Sequence, residues 1–250
     1  MITLGIDIGG SAVKGALINT ETGELVSERI RYGNRSVLEP AEIIHTIEKI
    51  RSELNYQGII GAGFPGIVKN GVILTSANLH PEWVNANLAQ MITKATHQPA
   101  VSINDADAAG LAEMRFGVKA AREKKVVLFL TIGTGIGSAL FLNGQLLPNT
   151  ELGHLKIRGR DAEQRASAAI KRIEKLSWKK WGERLNEALE TYEFLLSPDL
   201  FILGGGISAK FDSFSRYLKV STPVVPAKLQ NLAGIIGAAM AAAEANPQQV

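Results

Sequence analysis

VVLFLTIGTGIGSALFLNGQLLPNTELGH, Val126 to His154, is the stretch on which the reading of this chain turns. Val126 to Ile132 is a run of apolar and β-branched residues, which predicts a buried strand. Gly133-Thr134-Gly135-Ile136-Gly137 follows without a spacer, then a second apolar run from Ser138 to Leu142 and the turn pair Asn143-Gly144. Strand, glycine turn and strand make a hairpin whose tip is bare backbone plus one hydroxyl. Such a tip lets an anion reach main-chain N–H groups with no Cβ in the way. Glu151 and His154 come next, flanking Leu152-Gly153. One segment thus offers a phosphate cradle and two side chains suited to hydroxyl groups, although a tight structural hairpin would use the same glycines.

The start of the chain repeats the pattern. Ile2 to Ile8 reads as a strand carrying Asp7 near its end, Gly9-Gly10-Ser11 as a turn, and Ala12 to Ile18 as the returning strand with Lys14. An acid at a strand end can hold a hydrated Mg²⁺, and a glycine tip with a hydroxyl and an ammonium suits phosphate. An Asp-Gly turn closing a hairpin is the plainer alternative. Thr22-Gly23 predicts another turn and Leu25 to Ile30 a third strand. The two strand–glycine–strand units, 2–18 and 126–142, predict a loosely duplicated α/β chain with both tips aimed into one cleft.

Between them, Pro40 to Leu54 has a helical apolar face, and Ile59 to Phe64 is a short strand running into Pro65-Gly66. A hairpin is expected around Lys69-Asn70-Gly71 and a helix over Trp83 to Ala95, with Asn78 a candidate sugar contact in the irregular stretch before it. Ala100 to Ile103 is a strand ending on Asn104-Asp105, ahead of a helix over Asp107 to Phe116. Open α/β sheets place their chemistry at such strand ends, and capping that helix is the plainer role for either residue. Ala162 to Leu196 reads as mostly helical, with Ile170, Ile173, Trp181 and Leu185 along one face and Lys171, Lys175 and Lys179 along the other. Leu200 to Leu203 is a strand entering Gly204-Gly205-Gly206, Val220 to Pro226 a further strand, and Asn231 to Glu244 a helix of small residues.

Over 250 residues, 46% hydrophobic and 20% charged composition belongs to a soluble globular protein. The absence of cysteine excludes disulfides and thiolate metal sites. The strand pattern begins at residue 2, and glycines interrupt the uncharged run 126–142, so a cytoplasmic protein with no membrane partner is expected. Net charge is only +3, yet Lys156 to Arg184 holds ten basic and four acidic residues. One basic stretch on a mildly charged chain predicts a local polyanion contact rather than nucleic-acid binding, a solvated helix face being the other reading.

With these motifs in this order, residues 2 to 242 resemble the ROK family of sugar kinases, within the sugar kinase/Hsp70/actin superfamily. Asp7-Ile8-Gly9-Gly10-Ser11 is similar to the family's first phosphate motif, and Gly133 to Gly137 to its second. Leu203 to Ser208 is similar to the motif that meets adenosine, and Asn104-Asp105 and Glu151-Leu152-Gly153-His154 to the pair that binds sugar. The resemblance implies two ribonuclease-H-like α/β domains with a cleft between them. A smaller N-terminal domain would span 1–106 and a larger one 107–231, with helix 232–246 packing back on the first. It implies transfer of the terminal phosphoryl group of inorganic polyphosphate or ATP to the 6-hydroxyl of glucose, with Asp105 as general base. Pro65, Gly66, Asn78, Asn104, Glu151, His154 and Glu163 would surround the sugar. Gly9, Gly10, Ser11, Lys14, Thr131, Gly133, Thr134 and Gly135 would hold phosphates, Gly204, Gly205 and Gly206 the nucleotide, and Asp7 a Mg²⁺ through water. A homodimer is implied as well.

Most members of the family follow the Gly-His with a cysteine-rich loop that binds zinc. Here that loop reads KIRGRDAEQRAS, Lys156 to Ser167, so no zinc is expected, and the chain is similar to the branch lacking the cluster. Alternatives are a strictly ATP-dependent glucokinase or hexokinase, a non-catalytic sugar sensor and a polyphosphate phosphatase. A repressor of the same family would carry a helix-turn-helix ahead of the first hairpin.

Overall fold

The computed structural model describes residues 1–33, 39–77 and 79–245. Its contacts divide into two units, one running from Met1 to Ala112 and resuming at Leu232, the other Glu113–Asn231. The first unit contains β1 (Ile2–Gly9), β2 (Ala12–Asn19), β3 (Glu24–Leu25), β4 (Ile30–Gly33), α1 (Pro40–Glu53), β5 (Ile60–Phe64), β6 (Val68–Lys69), β7 (Val72–Ile73), α2 (Leu88–Thr96), β8 (Ala100–Asn104) and α3 (Asp105–Ala112). Its main sheet has the order β3-β2-β1-β5-β8, with β4 also on β2. β1 and β2 are antiparallel, and β5 and β8 run parallel to β1.

α1 forms because Pro40 suits its first turn and Glu39 and Glu42 close a reciprocal capping box. Its Ile43, Ile47 and Ile50 fall three and four apart, and all are fully buried in one cluster with Leu4, Ile6 and Ile8 of β1. Each such side chain contributes roughly 2 kcal/mol of burial. The terminal helix Ala233–Glu244 also packs on β1 and β5, and it is glycine and alanine that let it approach. A Cβ on Gly237 would collide with the Ala108 carbonyl of α3, and one on Gly5 with the Ile235 carbonyl.

The second unit contains β9 (Val126–Ile132), β10 (Ile136–Leu142), β11 (Gln145–Leu147), β12 (Lys156–Ile157), β13 (Arg160–Asp161), α4 (Ala162–Ala166), α5 (Ala168–Ile173), α6 (Trp178–Leu196), β14 (Leu200–Gly204), α7 (Phe211–Phe214) and β15 (Val224–Pro226). Its main sheet has the order β11-β10-β9-β14-β15. The duplication takes definite form here: in both sheets an opening antiparallel hairpin is followed by two strands parallel to its first member. Trp181 sits at the heart of the second core, edge-on to Phe214 at 4.9 Å, with its indole N–H donated to the Ala166 carbonyl at 3.0 Å.

Several elements differ from expectation. The strand predicted over Leu25 to Ile30 is two short strands, β3 and β4, both on β2. The helix predicted from Trp83 starts at Leu88, because Asn85 adopts a left-handed φ of 70° and Asn87 caps the new start. The helix predicted over Asp107 to Phe116 begins at Asp105 and passes into a π-turn at Glu113–Gly117. Only Val224–Pro226 of the expected Val220 to Pro226 strand is paired. The stretch Ala162 to Leu196 is three helices, since Ser167 and Ser177 each cap a fresh start and Lys175 is left-handed at φ 51°. Lys171, Lys175 and Lys179 therefore share no helix axis, and Ile173, expected on the apolar face, is 67% exposed. α3 lies wholly within the first unit, six residues past the expected boundary at 106, because the terminal helix packs along it. With that helix included, the first unit is the longer of the two. Among the described residues no helix is long and apolar enough to cross a membrane.

Candidate active site

In the first unit three neighbouring strands bring their C-terminal ends together, the usual place for chemistry in a parallel sheet. Asp7 near the end of β1 faces Lys14 across the hairpin, with Nζ 2.7 Å from Oδ2. Gly10 and Ser11 are exposed at the tip. Asp7 is in register with Gly63 of β5, and Gly63 with Ile103 of β8. Asn104, only 4% exposed, ends β8. Its Oδ1 accepts the N–H groups of Ala106 and Asp107, both at 2.9 Å, and its Nδ2 donates to the Gly66 carbonyl at 3.1 Å. The cap and the bond to the Pro65-Gly66 turn thus belong to the same amide. It starts α3, where Asp105 is the first helical residue, and it grips the Pro65-Gly66 turn. Asp105 is half-buried at a helix N-terminus, where negative charge is favoured. Asn78, expected to touch sugar, lies outside the described residues.

In the second unit the Gly133 loop is cinched by three bonds. Gly133 N–H donates to the Gly135 carbonyl at 3.0 Å, Ala169 N–H to the Gly133 carbonyl at 3.1 Å, and Ile136 N–H to Glu163 Oε2 at 3.2 Å. The Gly133 N–H, expected among the phosphate donors, is therefore spent inside the loop. Among the described residues the N–H groups of Thr134 and Gly135 have no protein acceptor, and Thr134 is exposed. A Cβ on Gly135 would meet Glu163 Oε2 and push that carboxylate off the Ile136 N–H. Gly204 is in register with Thr131, which sets Gly204-Gly205-Gly206 beside the same loop. Gly205 holds a φ of 76°, and Gly206 is exposed.

The segment carrying Glu151 and His154 is anchored from behind. Ser138 Oγ donates to the Thr150 carbonyl at 2.6 Å and accepts Leu152 N–H at 3.0 Å, while Tyr192 OH donates to the Leu152 carbonyl at 2.8 Å. His154 Nε2 lies 3.8 Å from Glu151 Oε2. Its Nδ1 lies 3.3 Å from Asp161 Oδ2 and 3.9 Å from Glu163 Oε1, so the loop acid predicted to join the sugar set does lie beside the histidine. Burial pushes the Glu151 carboxyl above the usual range, opposed by His154 and reinforced by Glu163. Lys156 first, then His154, hold Asp161 below it.

Asp161 is the residue that sequence reasoning missed. Its carboxylate meets His154 and Lys156 and also closes a capping box with Gln164 at the start of α4. The Asp-x-x-Gln spacing was the available signal. His154, Asp161 and Glu163 each place one ligand-type atom within 4.8 Å of the others. Lys156 Nζ stands 2.5 Å from Asp161 Oδ1, however, and an ammonium there opposes a second cation.

The sequence profile of the ROK family matches residues 3–169. A polyphosphate glucokinase of Mycobacterium tuberculosis H37Rv is 44% identical over 238 residues, covering 95% of this chain and 89% of that one. The crystal structure of an inorganic polyphosphate/ATP-glucomannokinase from Arthrobacter sp. strain KM matches with a TM-score of 0.93 at 41% identity, covering 98% of this chain and 99% of that one. A ROK family glucokinase from Streptomyces griseus, in complex with glucose and AMPPNP, shares the fold with a TM-score of 0.81 over 98% of this chain and 100% of that one, at 22% identity.

Proposed function

The chain belongs to the ROK family, and on that premise we propose that it is a glucokinase moving the terminal phosphoryl group of inorganic polyphosphate, or of ATP, to the 6-hydroxyl of glucose. The observation that carries the reading is Asn104, whose one amide both starts the helix bearing Asp105 and grips the turn expected to shape the sugar pocket. Of the relatives named above, the two that exceed 40% identity are both named for polyphosphate, and one of them also for ATP.

Phosphoryl transfer asks the protein mainly for positioning and charge stabilisation. Asp105 accepts the proton of the 6-hydroxyl as that oxygen bonds to phosphorus and the bond from phosphorus to the departing phosphate oxygen breaks. Glu151, held by the Ser138 and Tyr192 bonds, accepts a hydroxyl hydrogen, and His154 and Glu163 take others. Thr134 and Gly135 offer two backbone donors and one hydroxyl to phosphate oxygens. Ser11 and Lys14 act likewise at the first tip, and Gly204 to Gly206 leave room for a nucleotide.

Asp7 fits a hydrated Mg²⁺ rather than a directly bound one. Lys14 already occupies Oδ2, and glycine at 234 leaves open beside the carboxylate the space that a Cβ would fill, 3.2 Å from Cγ, where a water shell would fit. When bound, the ion neutralises charge on the phosphate oxygens.

The test is glucose 6-phosphate formation with Mg²⁺ and either polyphosphate or ATP as sole donor. Turnover on polyphosphate is expected. Turnover on ATP alone would make the protein an ordinary glucokinase, and phosphate release without sugar would make it a phosphatase.

A further inference from the structure

Nine of the ten cations between Lys156 and Arg184 fall into two groups in the structure, and the tenth, Arg160 on β13, is exposed with no ion pair among the described residues. Lys156 is paired with Asp161, Arg158 and Arg165 with Glu187, and Arg184 with Glu174. Lys171 lies 3.9 Å over the Trp178 ring and donates to the Leu176 carbonyl. By contrast, Arg172, Lys175, Lys179 and Lys180 are exposed and, among the described residues, form no ion pair. These four sit within nine residues at the corner where α5 ends and α6 begins. The corner's one acid, Glu174, is neutralised by Arg184 Nη1 at 2.7 Å.

The corner is tied to the phosphate loop. α5 begins beside it, through the bond from Ala169 N–H to the Gly133 carbonyl. With six residues α5 is roughly 9 Å long, so its far end carries unneutralised positive charge about one short helix away from the Gly133 tip. A nucleoside triphosphate with its phosphates at the tip has no further phosphate to send there. A linear polyphosphate has one charged unit after another.

We propose that the corner formed by Arg172, Lys175, Lys179 and Lys180 holds the tail of a linear polyphosphate whose reacting end lies at the Gly133 loop. The inference deepens the proposed function and rests on polyphosphate being the donor. It narrows the basic stretch of the sequence to its second half, because the cations of the first half are largely committed to carboxylates. Attraction here is that of a polyanion shedding counterions onto exposed cations, which tolerates sliding and needs no shaped pocket. Single-stranded nucleic acid is the poorer fit. Base binding uses open aromatic faces, and the one aromatic ring inside the corner, Trp178, is covered by Lys171.

The experiment compares the triple variant Lys175→Glu, Lys179→Glu, Lys180→Glu with the unaltered enzyme on long-chain polyphosphate and on tripolyphosphate, with a thermal melt of each protein. The KM for the long chain should rise on the order of tenfold to a hundredfold and depend less steeply on salt, while the tripolyphosphate KM stays within about twofold. Arg158→Gln, which alters a paired cation, should leave the long-chain KM within about twofold. An unchanged long-chain KM, an equal rise for both donors, or the larger effect in the Arg158 variant would each overturn the track while leaving the kinase reading intact. Equal competition by single-stranded DNA at the same ionic strength would overturn it too. Failure of the unaltered enzyme to use any polyphosphate would overturn the donor assignment, and the track with it.

Discussion

His154 Nδ1 lies 3.3 Å from one oxygen of Asp161, while the other oxygen of that carboxylate lies 2.5 Å from Lys156 Nζ. The Asp161 contact orients the imidazole, and with it how Nε2 is presented toward Glu151. Asn caps a helix as well as Asp does, so Asp161→Asn removes the charge while keeping the start of α4. The KM for glucose should rise by about tenfold, with the KM for the phosphate donor unchanged. Asp161→Glu should recover part of the loss. A variant with unaltered glucose KM would show that the contact merely packs the loop.

Asp105→Asn should lower kcat by roughly a hundredfold to ten-thousandfold, the range expected for a lost general base. Glucose binding, followed by calorimetry, should persist, because the Asn104 bonds to Gly66 and α3 are untouched. Near-normal turnover would remove Asp105 from the base role.

Glu113 is fully buried, and its two oxygens accept the N–H groups of Lys228 at 3.0 Å and Leu229 at 2.7 Å. Glu113→Ala would orphan both donors and should cost about 2 kcal/mol or more in denaturant unfolding. Burial raises the Glu113 carboxyl above the usual glutamate range, against the pull of those two bonds. The folded state then binds the proton more tightly than the unfolded chain. This contribution to stability is full below the ordinary glutamate range and is lost as pH climbs through the raised value. Glu113→Gln should flatten that part of the pH–stability curve, and an identical slope in both proteins would contradict the assignment.

Gly237→Ala separates two opposing effects. Helix propensity favours alanine by about 1 kcal/mol. The Ala108 carbonyl, however, occupies the place of the new Cβ, and overpacking costs roughly 1–3 kcal/mol. A lowered melting temperature is expected. A raised one would mean that the terminal helix can shift away from α3 at little cost.

The glycine hairpins were legible because each pairs a local apolar run with a turn residue, and both ends of such a motif lie within a few positions. The Asn104-Asp105 strand end was legible for the same reason, although the reach of the capping amide to the Gly66 carbonyl was not. The lysine stripe failed where a serine cap and a left-handed Lys175 broke the helix, signals that single-helix periodicity overrides. Asp161 escaped notice because its three partners sit on a turn, a strand and a helix start, and only the cap can be read from spacing. Glu113 read as part of an ordinary helix, since its two partners lie at Lys228 and Leu229, far along the chain.

The terminal helix has a consequence for how the protein is made. The sheet face of β1 and β5 that it covers is complete once Ala112 has left the ribosome, yet Glu113–Asn231 must be synthesised before its cover begins. At about 5–20 residues per second that interval is roughly 6 to 24 seconds. Throughout it the nascent chain carries an open apolar surface bearing Gly5 and Gly61, and a transcript truncated before Leu232 would leave it bare for good.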